Sequence, residues 1–225
     1  MKRALVFGGT GAVGREVLRE LARAGVSATF TYLKSGERAR VLASELSHRA
    51  LQADLADEAA VRALVRNLEE PPAIFVHAAA ILGSAETFGA VQAVNVTSAF
   101  AAARELAPRM ERAGGGEMIL LGALERVQSL PLPPAFAASQ GALSAMAMAL
   151  AKELGPRRIR VNMIAVGLLE EGLSRGLDPK LIEDYKAFSA LRRIGRAAEV
   201  AAVVRWLALE NTYLSGKTLP VNGGI

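Results

Sequence analysis

Apolar positions along this chain alternate between short continuous runs and helical spacings. Ala4-Leu5-Val6-Phe7 is the kind of run a strand buried on both faces needs, and Gly8-Gly9-Thr10-Gly11-Ala12-Val13-Gly14 follows it at once. Val17, Leu18, Leu21 and Ala22 then recur at helical spacing within Arg15–Ala24, and Gly25 stands where a C-terminal cap belongs. The same reading predicts strands over Val26–Leu33, Arg49–Gln52 and Ala73–Ala79, with helices over Glu37–Leu46 and Glu58–Leu68 between them. It continues with a long helix over Thr87–Arg112, a strand over Met118–Leu121, a helix over Ala135–Leu154 and a strand over Arg160–Ala165. Gly167–Arg193 reads as a looser segment, before a helix over Ala197–Leu209 and a last strand over Thr218–Val221. Strands alternating with helices imply a parallel sheet covered on both faces. No repeat, linker or low-complexity tract divides it. The expectation is α/β: one doubly wound domain over residues 1–225, with about seven strands.

One stretch departs from amphipathic spacing. Between Val127 and Ala151 there is no charged residue, in a chain that is 22% charged. Nearly every position from Phe136 to Ala151 is Ala, Leu, Met, Ser or Gly, so this helix is expected to be covered on more than one side. It is not a membrane span: Pro131, Pro133 and Pro134 break its first part, and alanine rather than leucine dominates the rest.

Composition narrows the chemistry. There is no cysteine, which excludes disulfides and thiolate metal sites, and His48 and His77 are too few for a histidine-rich one, so no metal is expected. The net charge of +5 comes from bases scattered among acids, as in Arg62, Arg66, Glu69 and Glu70, with no aromatic interleaving. A solvated basic surface is favoured over nucleic-acid binding. Met1-Lys2-Arg3 runs straight into a strand, so no targeting leader and a cytoplasmic location are expected.

The strand–glycine turn–helix at the N-terminus is an anion site in form. Backbone N–H groups and the helix dipole converge there, and the glycines let a pyrophosphate approach the backbone. The spacing Gly8-x-x-Gly11-x-x-Gly14 at the first βα turn points to a dinucleotide. The end of the second strand, Thr31-Tyr32-Leu33-Lys34, holds no acid for a ribose 2′-hydroxyl. Lys34 would suit a 2′-phosphate, which favours NADP, although a solvated loop lysine explains it equally well.

With these pieces in place the chain resembles the short-chain dehydrogenase/reductase family, and most closely its 3-oxoacyl-carrier-protein reductases. The resemblance rests on Gly8–Gly14, Ala53-Asp54-Leu55, Val94-Asn95-Val96, Ile159-Arg160-Val161-Asn162, Arg193-Ile194-Gly195-Arg196 and Leu219-Pro220-Val221-Asn222-Gly223-Gly224. It implies a Rossmann-like fold, reduction of a carbonyl such as a 3-oxoacyl group, and cofactor contacts from Gly8, Thr10, Gly11, Val13, Gly14, Lys34, Asp54, Leu55 and Ala79. It also implies a homo-oligomer, dimer or tetramer, through helices 87–112 and 135–154, which would cover the uncharged helix.

The family's catalytic positions are altered. Its tyrosine gives a proton, a lysine four residues on lowers the tyrosine pKa and holds the nicotinamide ribose, a serine orients the carbonyl, and an asparagine completes a water relay. These fall on Phe136, Gln140, Ala123 and Asn95, of which only Asn95 is retained. Phenylalanine has no O–H, glutamine no charge and alanine no donor. The asparagine-rich segment after strand four reads His77-Ala78-Ala79-Ala80, which makes His77 a satisfied structural residue. The threonine after strand six is Glu171, expected to sit near the cofactor phosphates and repel them. Departures at Ala78, Ala80, Val166 and Glu171 read as natural divergence rather than a designed knockout. The resemblance therefore implies a binding or assembly protein with impaired chemistry and a residual NADP(H) site. The alternatives are an active reductase whose proton comes from Tyr185 or a bound water, and a subunit that pairs with an active relative.

Overall fold

The computed structural model describes residues 2–84, 87–123 and 132–225. Seven parallel strands form one sheet in the order β3-β2-β1-β4-β5-β6-β7. They are β1 (Arg3–Phe7), β2 (Ser27–Tyr32), β3 (Arg49–Gln52), β4 (Ile74–His77), β5 (Gly116–Ala123), β6 (Ile159–Val166) and β7 (Thr218–Val221). The chain winds outward from β1 to β3, then restarts at β4 on the other side of β1. That reversal opens a crevice at the C-terminal ends of β1 and β4.

Strand alternation splits the core in two. Ala4 and Val6 of β1 face α1 (Ala12–Arg23) and α8 (Ala197–Leu209), where Val17, Leu18, Val200 and Val204 are fully buried. Leu5 and Phe7 face α3 (Glu58–Arg66), α5 (Ser98–Arg112) and α6 (Pro134–Leu154), with Val61, Leu106 and Leu150 against them. Helix α2 (Gly36–Leu46) flanks β3. No helix among the described residues is long and apolar enough to cross a membrane.

The structure refines one expected element and corrects another. The long helix predicted over Thr87–Arg112 is present over Phe88–Arg112, with α4 (Phe88–Gln92) passing through a wide π turn at Ala93–Thr97 into α5. Such turns insert a residue and turn a side chain inward; here that side chain is Asn95. The looser segment contains α7 (Pro179–Phe188), whose start carries a plain signature: Asp178 accepts the Lys180 N–H at 2.8 Å, and Pro179 takes the first turn. The single chain buries one face of α6, and the expected cover of its other face would come from a second copy. Phe136, Gln140, Leu143, Ala147 and Leu150 are buried, while Ala138, Gly141, Ala145 and Met148 are exposed. The start of the uncharged run, residues 127–131, lies outside the described residues.

At the opposite edge of the sheet from the crevice, Glu117 is 1% exposed. It accepts from Arg160 Nε at 2.7 Å, Asn162 Nδ2 at 3.1 Å and Asn211 Nδ2 at 3.3 Å. Burial nevertheless pushes its carboxyl up to about 7 from 4.5. An acid that binds its proton more tightly when folded contributes stability that is complete below about 4.5 and is lost as pH rises through about 7. Against Glu117→Gln, which cannot titrate, the wild type is therefore expected to lose about 2–3 kcal/mol of relative unfolding free energy between about pH 5 and pH 8. Urea unfolding of both proteins at the two pH values checks this, and a pH-independent difference would refute it.

Candidate active site and cofactor cleft

Because the strands are parallel, Phe7, Tyr32, Gln52, His77, Ala123 and Val166 all end at one edge of the sheet. The glycine turn leaves β1 there. Gly8 adopts φ +77, its N–H donates to Thr31 Oγ1 at 3.1 Å, and the Gly9 N–H donates to Thr31 O at 2.9 Å. A Cβ on Gly14 would lie 2.2 Å from Gly8 O, so only glycine lets α1 pack this closely on the turn. Helix α1 begins at Ala12, earlier than its apolar spacing predicts. Its N-terminus has no side-chain cap and no acid in the first turn. Its free N–H groups and dipole thus meet the crevice without a side-chain cap.

Gly11, Ala12 and Val13 line one end of a cavity of about 660 Å³, and Ala123, Phe136 and Gln140 line it as well. The structure therefore brings together the three residues that the resemblance sets at the family's catalytic positions. Gly8, Thr10 and Gly14 form the turn itself, and Gly8 packs so tightly on Ala79 that a Cβ would come within 2.8 Å of the Ala79 backbone. Lys34, Asp54 and Leu55 lie past the ends of β2 and β3 and are not part of the cavity wall. Asp54 Oδ1 accepts the Ala56 N–H at 2.9 Å.

Behind the cavity wall runs a chain of amides and one hydroxyl. Asn95 is fully buried. Its Oδ1 accepts the Ile81 N–H at 2.9 Å, and its Nδ2 donates to Ile81 O at 3.1 Å and to Ser139 Oγ at 3.0 Å. Ser139 donates to Phe136 O at 2.7 Å and accepts from Gln140 Nε2 at 2.9 Å. Gln140 Oε1 accepts the Ala123 N–H at 2.8 Å. Where the family would hold a cation, this chain holds an amide facing back into the protein. Ser139 is the residue that sequence reasoning misses. Its only signal is its position three residues after Phe136, on the same helical face.

The other candidates resolve as follows. Tyr185 lines the cavity but is 2% exposed; its hydroxyl donates to Asn222 O at 2.7 Å, and burial raises its pKa. Its proton is held by a backbone carbonyl. His77 is only half satisfied, contrary to expectation. Its Nε2 meets Ser98 Oγ at 2.8 Å, and Ser98 donates to Val94 O at 2.7 Å, so Nε2 carries the hydrogen and Nδ1 has no partner among the described residues. Burial lowers its pKa to about 4, which keeps the ring neutral. Glu171 does line the cavity, but its carboxylate accepts the Ala197 N–H at 3.2 Å, at the first turn of α8. It is a helix cap as well as a charge in the cleft.

A family model described as Enoyl-(Acyl carrier protein) reductase matches residues 9–225. The 3-oxoacyl-[acyl-carrier-protein] reductase MabA of Mycobacterium tuberculosis is 29% identical, over 100% of this chain and 92% of its own length. The crystal structure of BdcA in complex with NADPH superposes with a TM-score of 0.90 at 27% identity, covering 100% of this chain and 94% of that one. A short-chain dehydrogenase/reductase from Serratia marcescens matches with a TM-score of 0.88 at 30% identity, over 99% and 97% of the two chains. With the family model matching residues 9–225 and the relatives covering the whole chain, the chain belongs to the short-chain dehydrogenase/reductase family and resembles its 3-oxoacyl-carrier-protein reductases.

Proposed function

We propose that this chain is an NADP(H)-binding member of its family that does not reduce carbonyls. One observation carries the reading: Gln140, at the position of the family's lysine, spends its amide on the Ala123 N–H and Ser139, and Phe136 beside it has no proton to give. No side chain of the described cavity wall is a lysine, arginine or histidine. The cofactor half of the cleft suits its ligand better. The uncapped start of α1 would hold the pyrophosphate, and a Cβ on Gly11 would meet only Gly8 O, at 3.1 Å, so the turn lies open to a ligand. Lys34 and Asp54 would hold the 2′-phosphate and the adenine. Bound there, the cofactor would supply a hydride, while Phe136, at the position of the family's tyrosine, has no O–H to give the matching proton. NADPH-bound BdcA supports the choice of cofactor.

NADPH is expected to bind with micromolar affinity, read by the fluorescence of the reduced nicotinamide. NADH is expected to bind at least about tenfold more weakly, with Lys34→Glu erasing the difference. No binding at millimolar NADPH, or ketone reduction at an ordinary rate by the purified protein, would overturn this reading. A second reading keeps the enzyme active with Tyr185 as proton donor, because Tyr185 does line the cavity. It requires that Tyr185→Phe abolish turnover.

The reading includes self-association. Phe88, Phe100 and Met148 are 55%, 43% and 52% exposed on α4, α5 and α6, too much apolar surface for helices facing water. A second copy of the chain would cover them by a two-fold contact. Light scattering is expected to give at least a dimer, and Met148→Glu a smaller species. A monomeric wild type would refute this part alone.

A further inference from the structure

We propose that the cofactor cleft distinguishes the two redox forms of its cofactor and favours the oxidised one, with Glu171 as the residue that decides. The inference rests on the NADP(H)-binding reading and deepens it by naming the form that is held. Sheet order sets the direction of each half of a dinucleotide. With the pyrophosphate at the start of α1, one half extends past β2 and β3, where Lys34 and Asp54 lie, and the other past β4, β5 and β6. The second direction is the cavity, whose wall runs from Gly11 past Ala78 and Ala123 to Val166 and Glu171. Glu171 is the only charged side chain in the described wall.

Three contacts fix that carboxylate in place. Its Oε2 accepts the Ala197 N–H at 3.2 Å, so the positive end of α8 holds the charge. The Glu170 N–H donates to Gly195 O at 2.9 Å and the Gly195 N–H to Leu168 O at 2.8 Å, which ties the segment after β6 to the one before α8. A Cβ on Gly172 would lie 3.2 Å from Ala12 Cβ, so the turn that carries Glu171 packs on the first residue of α1. The neighbouring cations are engaged elsewhere. Arg193 and Arg196 reach Glu199 at 2.6 and 3.9 Å, and Arg175 Nε donates to Glu170 O at 3.2 Å. Glu171 has no ion-pair partner among the described residues.

A carboxylate so placed acts through charge. The oxidised nicotinamide ring is positive and the reduced ring is neutral, while the phosphates and the adenine are common to both forms. Beside α1, Glu171 repels the phosphates of both forms alike, and that repulsion cancels in the ratio of the two affinities. Its attraction for the oxidised ring does not cancel. Across a half-open cleft screened by salt, one such charge pair changes the ratio by about fivefold.

Titration calorimetry of the full chain with NADP+ and with NADPH, at one pH and one salt concentration, gives both dissociation constants without any turnover. The wild type is expected to bind NADP+ the more tightly. Glu171→Gln keeps an oxygen that can accept the Ala197 N–H but loses the charge. It should tighten NADPH more than NADP+ and reduce the preference for NADP+ by about fivefold. Glu171→Ser, a second neutral variant, should move the ratio the same way even if the cap is weakened. Glu170→Gln removes the neighbouring acid, which is exposed and off the cavity wall, and should leave the ratio as in the wild type. Salt raised from about 50 to about 500 mM should narrow the gap between the wild type and Glu171→Gln. Tighter binding of NADPH by the wild type, an unchanged ratio in both neutral variants at 171, or an equal shift in Glu170→Gln would overturn the inference and leave the NADP(H)-binding reading standing. Binding of neither form at millimolar concentration would overturn that reading, and this inference with it.

Discussion

Ala123→Ser/Phe136→Tyr/Gln140→Lys is expected to reduce a ketone with NADPH at least about 100-fold faster than the wild type, whose rate stays at background. The argument is geometric. Phe136 and Gln140 stand four residues apart on one face of α6, and both line the cavity with Ala123 at the end of β5. A tyrosine at 136 would place its hydroxyl in that space, a lysine at 140 would lower the tyrosine's pKa, and a serine at 123 would donate to the carbonyl. None of the three is expected to act alone. Without the ammonium the buried phenol keeps a pKa far above neutral, so Phe136→Tyr by itself should gain less than about tenfold. The triple change has a structural cost as well, because lysine cannot accept the Ala123 N–H that Gln140 Oε1 now accepts at 2.8 Å. That cost is about 1–2 kcal/mol and should appear as a lower melting temperature, not as lost NADPH binding. Steady-state cofactor oxidation decides the matter. A folded, NADPH-binding triple variant with background activity would show that the Gly167–Glu171 loop has lost its productive geometry too.

Why the sheet was readable from sequence and the site only in part comes down to the range of the forces involved. Apolar runs such as Ala4–Phe7 and helical spacings such as Val61 and Val65 are local consequences of burial, and they place every strand. The glycines at 8 and 14 were equally legible, since their reasons, a positive φ and a 2.2 Å approach, leave few other residues possible. Helix α7 is hard to read although Asp178-Pro179 announces it, because its apolar content is too sparse to outweigh the surrounding glycines. The π turn at Ala93–Thr97 has no local signal. It is held by Asn95 reaching Ile81 and Ser139, partners 14 and 44 residues away. Glu171 shows the same limit from the other side. The family resemblance could say which residue it replaced, but its bond to the Ala197 N–H exists only because the segment after β6 meets the start of α8, where Leu169 also bridges to Gly195.

Asn95→Ala is expected to destabilise the protein by about 3 kcal/mol, lowering its melting temperature by roughly 6–12 °C. By the family resemblance this residue would complete a water relay; on the non-catalytic reading proposed above that relay has no use, and its retention needs another cause. The cause lies in its partners. Removing the side chain leaves the Ile81 N–H and C=O unpaired beside the cleft and takes one of the donors from Ser139, which also supports Gln140. Losses within such a network exceed those of separate bonds. Asn95→Asp should recover only part of the loss, because it still accepts from Ile81 N but donates to neither Ile81 O nor Ser139. If both variants melt like the wild type, the π turn is not held by this side chain, and its retention is a relic of the family's chemistry. If Asn95→Ala melts early, Asn95 persists because it joins the start of α5, α6 and the segment after β4 around the cleft.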